Sequence, residues 1–298
     1  MKRYSIILCV GILLWACGRT PRDYTLLQVK GSDTEVSLAL SLAEAYMDKD
    51  SMVSIAVTGG GSGTGIAALI NGKTDIANSS RPMKEKELEL ARDRGVDVFY
   101  TLFAVDALAI IVNDENPINS LSTAELGDIF RGDKENWSLV GGNDMEISLY
   151  GRQNNSGTYV FFRDNFLKSD YSPEAKQMNG NAQIVEGVKA DKSAIGYVGL
   201  GYVVKEDGSL VKGLKILSVN SEGDSAAVSP LKKENITSGK YPITRPLYQF
   251  TNGRPTGKAL DFILFELSSE GQQLVSEEGY YPLTKEHIAT NRKNGLYE

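Results

Sequence analysis

The chain has 298 residues, 41% of them hydrophobic and 23% charged, an ordinary globular composition with length enough for two medium lobes. Its 38 acidic and 32 basic residues leave a formal net charge of −6. That balance excludes a general electrostatic surface for nucleic acid or other polyanions. A bound anion would have to be held by local dipoles, hydroxyls and one or two arginines.

Residues 1–16 differ from the rest. Lys2 and Arg3 precede an apolar run over residues 6–15, too short to span a bilayer but suited to a secretory leader. The run closes on Leu14-Trp15-Ala16-Cys17. This resembles the lipobox of bacterial lipoproteins, with Trp15 bulkier than the usual residue there. The resemblance implies cleavage before Cys17, lipid on its thiol, a tether over residues 17–24 and a place outside the cytoplasmic membrane. An ordinary secretory signal is the alternative. Cys9 and Cys17 are the only cysteines, so the processed chain could form no internal disulfide. Cleavage would also remove Lys2 and Arg3, taking basic residues from 32 to 30 against 38 acidic and the net charge from −6 to −8.

In chain order, residues 26–30 read as a strand running into Gly31-Ser32-Asp33-Thr34. A helix to about Lys49 follows, with Val36, Leu40, Ala43 and Met47 on one face. Residues 53–57 alternate as a second strand, and residues 66–70 form a helix stopped by Asn71-Gly72. Between them lies Gly59-Gly60-Gly61-Ser62-Gly63-Thr64-Gly65. Glycines on a strand-to-helix turn let backbone approach a ligand, and the helix start offers free N–H groups to an anion. Ser62 and Thr64 add hydroxyls. The loop matches neither a Walker A motif, a dinucleotide fingerprint nor a nucleophile elbow, since Ile66 follows Gly65 and Thr64 breaks both glycine patterns.

Next come a short strand ending in Ser79-Ser80-Arg81-Pro82 and a charged helix over 83–94 closed by Gly95. Residues 96–101 and 104–112 read as two strands, the second buried. Ser122 and Glu125 form a capping box for a helix to Phe130. A strand over 147–150 leads into Gly151-Arg152-Gln153-Asn154-Asn155-Ser156-Gly157-Thr158, and residues 159–167 are helical. Further helices are expected at 184–190, 232–238, 259–267 and 270–278, and strands at 194–198 and 214–219. Residues 241–251 are extended, but Pro242 and Pro246 rule out a regular central strand throughout. The alternation indicates an α/β architecture, with anion-suited turns gathered on two sheets that face a cleft.

Taken together, Gly31-Ser32-Asp33-Thr34, the central glycine loop, Ser79-Ser80-Arg81-Pro82 and Arg152-Gln153-Asn154-Asn155-Ser156-Gly157-Thr158 resemble the phosphate-binding protein of the bacterial phosphate ABC transporter, the PstS type. The resemblance covers nearly all of the processed chain. It implies a two-lobed type II periplasmic binding protein fold, with one lobe at 25–104 plus 245–298 and the other at 105–244. Hinges would fall near residues 103–106 and 243–245. It further implies phosphate contacts from Ser32, Asp33, Thr34, Ser62, Ser80 and Arg81 on one side and Arg152, Ser156, Gly157 and Thr158 on the other. The partners would be inorganic phosphate and membrane permease subunits, with no cofactor and no nucleic acid. Much of the family has an aspartate at Ser80 and an acidic residue at Asn154, so the acceptor for the ligand's proton must lie elsewhere. Asp33 is the candidate, a helix-capping role its alternative.

An arginine beside a Ser-Gly-Thr helix start reads as a bidentate fork, so Arg152 is the principal ligand cation. Arg81 could bind the anion or pair within the protein. Tyr197 is expected to pack in the core or line the cleft wall. With His287 as the single histidine and near the C-terminus, a Ser-His-Asp triad around Ser62 or Ser156 is implausible and a phosphatase is a remote alternative, and no His/Cys cluster suggests a metal. The chain is therefore expected to bind and not to catalyse. The alternatives are another oxyanion such as sulfate or molybdate, or a surface sensor or adhesion role.

Overall fold

The computed structural model describes residues 24–205, 208–224 and 226–297. The leader, Cys17 and all of the tether except Tyr24 lie outside them. Strands β1 (Thr25–Gly31), β2 (Val53–Thr58) and β3 (Ile76–Ser79) pair in parallel, with β1 between the other two. Helices enter between them because parallel neighbours need a crossover. Val36–Lys49 joins β1 to β2 and Ser62–Ile70 joins β2 to β3.

Strand β4 (Val98–Asn113) is the axis of the molecule. It is sixteen residues long, and every residue from Thr101 onward is buried. Its first part pairs antiparallel with β11 (Thr244–Asn252), which also pairs with β3. Its last part pairs antiparallel with β8 (Ala194–Gly199) and β9 (Leu214–Ile216). Beyond β8 lie β6 (Ser148–Arg152) and β7 (Lys176–Met178), both parallel. One sheet of order β2-β1-β3-β11-β4-β8-β6-β7 thus runs through both lobes. Strands β5 (Ser120–Ser122) and β10 (Ser218–Asn220) form a separate pair.

Expected as two strands, residues 98–113 form one. The register with β11 passes from Leu247 opposite Ala104 to Tyr248 opposite Leu102. Phe103 is the extra residue of a bulge, which accommodates it without ending the strand. Pro246 faces Val105 on β4, while β3 reaches only Tyr248–Phe250, so no ladder bond is missing on its other side.

The buried face of Val36–Lys49 also differs from expectation. Leu38, Ala39, Leu42, Ala43 and Tyr46 are buried, whereas Leu40 is 41% exposed. Apolar residues occupy most positions of this helix, so periodicity alone allowed several stripes. Tyr46 settles the choice by packing its ring against Phe262 and Phe265. The first lobe has apolar clusters on both sheet faces, one around Leu38, Leu42 and Phe262, the other around Ile66, Leu69 and Phe250. The second lobe is built around Ile110, Phe130, Phe162 and Tyr197. Among the described residues, no helix is long and apolar enough to cross a membrane.

Candidate anion-binding site

The central glycine turn is shorter than expected and the helix after it longer. Gly60 and Gly61 have φ of 115° and 100°, which side-chain-bearing residues avoid, and the helix then starts at Ser62 instead of Ile66. Ser62, Gly63 and Thr64 therefore form its first turn, where backbone N–H groups lack helical partners. A Cβ on Gly65 would lie 2.3 Å from the Lys30 carbonyl, so glycine there lets this helix start sit directly on β1.

Four strand-to-helix turns bring their hydroxyls to one buried place. Ser32, Thr34, Ser62, Ser80, Ser156 and Thr158 are each at most 3% exposed. From the first lobe, the Ser32 hydroxyl donates to Ser80 Oγ at 3.3 Å, and Ser80 and Ser62 Oγ are also 3.3 Å apart. The Ser80 N–H donates to Ser62 Oγ at 3.1 Å. From the second lobe, Ser156 caps Gly157–Phe162, its Oγ accepting from the N–H groups of Thr158 and Tyr159. Thr158 meets Thr34 across the cleft at 2.9 Å. Gly157 faces Ser62 and Ser80 so closely that a Cβ would stand 2.3 and 2.5 Å from their Oγ atoms.

Arg152, at the end of β6, is 2% exposed. Its Nη2 donates to the Asn179 carbonyl at 3.1 Å, and its Nη1 lies 3.2 Å from Asp33 Oδ2. Its Nε and Nη1 make no hydrogen bond within the protein. Burial pulls the Arg152 pKa down while the Asp33 charge holds it up. Behind it Tyr197 is fully buried, its hydroxyl accepting from the Arg152 N–H at 3.3 Å and bonded to Tyr171 at 2.8 Å. Burial pushes the Tyr197 phenol up to about 12. Tyr197 is thus a wall behind the arginine.

Asp33 does not cap the helix that follows it. Its Oδ2 instead accepts from the N–H and the Nδ2 of Asn181, each at 3.0 Å, at the start of helix Asn181–Ala190 in the second lobe. Its carbonyl accepts from the Tyr202 hydroxyl at 2.6 Å. Asp33 therefore ties the two lobes together and orients Arg152.

Arg81 does not join the cluster. Its two terminal nitrogens donate to the two carboxylate oxygens of Glu87, both at 2.7 Å, and Nη1 also to the Pro82 carbonyl. A guanidinium engaged this way on a neighbouring helix start forms a pair within the protein, while its buried Nε makes no hydrogen bond there.

A second buried arginine reaches the hydroxyls directly. Arg245 of β11 is 3% exposed and holds Asp106 of β4 through Nε at 3.1 Å and Nη2 at 2.9 Å. The same Nη2 reaches Thr158 Oγ1 at 2.9 Å and Thr34 Oγ1 at 3.4 Å. Burial raises the Asp106 carboxyl and Arg245 opposes the shift. Both residues were expected only as hinge positions. No glycine turn marks them, and the one available signal was a charged residue in each of two apolar crossovers.

Below Ser32 lie two further carboxyls, Glu35 and Glu266, both fully buried. Neither oxygen of Glu35 has a hydrogen bond, while Glu266 Oε1 accepts from Gln249 Nε2 at 3.1 Å. Burial raises both well above the usual carboxylate range; nearby Ser32 and Arg245 lower Glu35, and Gln249 lowers Glu266, which the Glu35 charge raises. A carboxyl raised on folding stabilises below its unfolded pKa, and that contribution is lost as pH rises through the folded value. Stability should fall as pH rises above about 4.5, the ordinary glutamate value. Glu266→Gln should flatten that fall, which urea unfolding at pH 5 and pH 8 would measure. An equal fall in the variant would remove these carboxyls as its source.

Among the described residues, no group of three or more His, Cys, Asp or Glu side chains could hold a metal ion. The arrangement is a buried cluster of hydroxyls with Arg152 and Arg245 beside it.

A profile of the PBP superfamily domain matches residues 18–270. The chain is 33% identical over 296 residues to protein SphX of Synechococcus elongatus, covering 95% of this chain and 86% of that one. It is 32% identical over 272 residues to the phosphate-binding protein PstS of Pseudomonas aeruginosa, covering 85% and 81%. Among solved structures it is similar to a substrate-binding protein assigned to a phosphate ABC transporter of Clostridium perfringens, solved with bound phosphate. That match has a TM-score of 0.76 and 26% identity over 87% of this chain and 100% of the other. An ABC-type phosphate transport receptor from Vibrio cholerae matches with a TM-score of 0.68 and 28% identity, covering 86% and 100%.

Proposed function

The chain belongs to the PBP superfamily, among the PstS-type solute-binding proteins with the two-lobed type II fold, and from that premise we propose that it captures inorganic phosphate between its lobes for an ABC importer. The observation that carries this reading is the meeting of three helix starts, six buried hydroxyls and Arg152 at one point between the lobes. We take the lobes as 25–104 plus 245–298 and 105–244. The ligand contacts are Ser32, Thr34, Ser62, Ser80, Arg152, Ser156, Gly157 and Thr158, with Asp33 at the edge. Binding without turnover is the activity. Calorimetric titration of the chain from residue 18 with phosphate, sulfate and molybdate tests it. Catalytic hydrolysis of ATP or a chromogenic phosphate ester, abolished by Ser62→Ala, would overturn it.

Selection of phosphate over sulfate falls to Asp33. Its Oδ2 carries the Arg152 and Asn181 contacts, which leaves Oδ1 to accept the proton that monohydrogen phosphate has and sulfate lacks. A site that requires such a bond rejects the analogue by about 10⁴ or more. Asp33→Asn should bind phosphate more weakly and sulfate relatively better. An unchanged phosphate-to-sulfate ratio at constant pH and ionic strength would confine Asp33 to orienting Arg152. The permease subunits are the partners in the membrane, and lipid on Cys17 is the anchor. Cys17→Ser should leave the protein soluble or unprocessed; a processed variant still needing detergent would contradict the anchor.

A further inference from the structure

Outside the hydroxyl cluster, Asn155 makes a separate set of contacts from one lobe to the other. The Gly63 N–H, unpaired in the first turn of its own helix, donates to the Asn155 carbonyl at 2.9 Å. Asn155 Nδ2 donates to the Gly60 carbonyl at 3.1 Å and to Thr64 Oγ1 at 3.3 Å. The Thr64 hydroxyl proton is itself given to the Gly60 carbonyl at 2.9 Å, so Thr64 Oγ1 faces Asn155 as an acceptor. The fit is close, since a Cβ on Gly61 would come within 3.0 Å of the Asn155 carbonyl. These partners all lie on the glycine turn of the first lobe, 91 to 95 residues from Asn155 in sequence.

We propose that Asn155 is a catch that holds the cleft shut, a positioning residue that sets how long the anion stays. The proposal rests on the phosphate-capture reading. The catch bonds need both lobes in contact, so they form after the anion has entered, and their strength should appear in dissociation rather than association. Two modest hydrogen bonds are together worth about tenfold. An aspartate is nearly the same shape, yet it would turn an oxygen instead of an N–H toward two acceptors. Asn155→Asp should therefore hold the cleft less well than Asn155→Ala.

The test is stopped-flow phosphate binding by the chain from residue 18, with amide exchange at Gly63 followed by NMR. Asn155→Ala should raise the dissociation rate about tenfold, leave the association rate and the phosphate-to-sulfate ratio unchanged, and speed exchange at Gly63. Asn155→Asp should exceed it, and Thr64→Val, which removes one acceptor, should give about threefold. A dissociation rate equal to wild type, a loss confined to association, or aspartate matching asparagine would overturn the catch. Failure of the wild type to bind phosphate would sink the functional reading alone. The Gly63 amide still decides the catch in that case, since equal exchange in wild type and Asn155→Ala would refute it.

Discussion

Arg152→Ala is expected to weaken phosphate binding by about a thousandfold. Truncating one partner of a buried, hydrogen-bonded charge pair costs about 2–5 kcal/mol, and each 1.4 kcal/mol is about tenfold. The upper part of that range applies because Arg152 is 2% exposed and its removal leaves Asp33 facing the anion without its cation. Arg152→Lys should lose about thirtyfold, since an ammonium supplies charge without the planar fork that reaches Asn179 and Asp33 and that is proposed to hold the ligand. Arg81→Ala is the control. It should lower stability by about 1.5–3 kcal/mol through the lost Glu87 pair and change affinity by less than about threefold. Titration and urea unfolding of the three variants would check this ordering. Equal binding by lysine and arginine at 152 would refute the fork.

Gly157→Ala should act by a different route. The added methyl would lie 2.3 Å from Ser62 Oγ and 2.5 Å from Ser80 Oγ, both on the opposite lobe. Overpacking of this kind costs about 1–3 kcal/mol, which predicts a five- to hundredfold loss of phosphate affinity. The clash exists only when the lobes meet, so the ligand-free chain should unfold at nearly the wild-type temperature. The rise in melting temperature with added phosphate should shrink, because stabilisation by a ligand follows its affinity. A variant that melts early without phosphate but binds normally would place the clash in the fold and not in the cleft.

Local chemistry made much of this legible. The glycine turns, the Ser156 cap and the Ser122 capping box declare themselves within a few residues. The hydroxyls that gather at the cleft all lie in such turns. What stayed hidden depends on contacts far apart in sequence. Asp33 meets Asn181 across 148 residues, and Arg245 meets Thr158 across 87. No spacing rule records either contact. Arg81 is the complementary case. Its motif pointed to the anion, but Glu87, six residues on, sits where a helix start brings it to both guanidinium nitrogens. The extra residue Phe103 likewise looked like a strand break until its partner strand was in place.

In the lobe division proposed above, β4 and β11 make both crossings, and they are hydrogen-bonded to each other from Ala107 and Thr244 to Val98 and Asn252. A loop would act as a free joint. Two laced ribbons behave more like a leaf spring, which bends a little at many residues and resists large swings. The unliganded chain should then explore a narrow arc of opening angles, and closure should forfeit little freedom of orientation between the lobes. The same lacing should resist large swings as the cleft opens and closes. The rate of reopening should therefore depend on the pleated crossover as well as on the grip of the site.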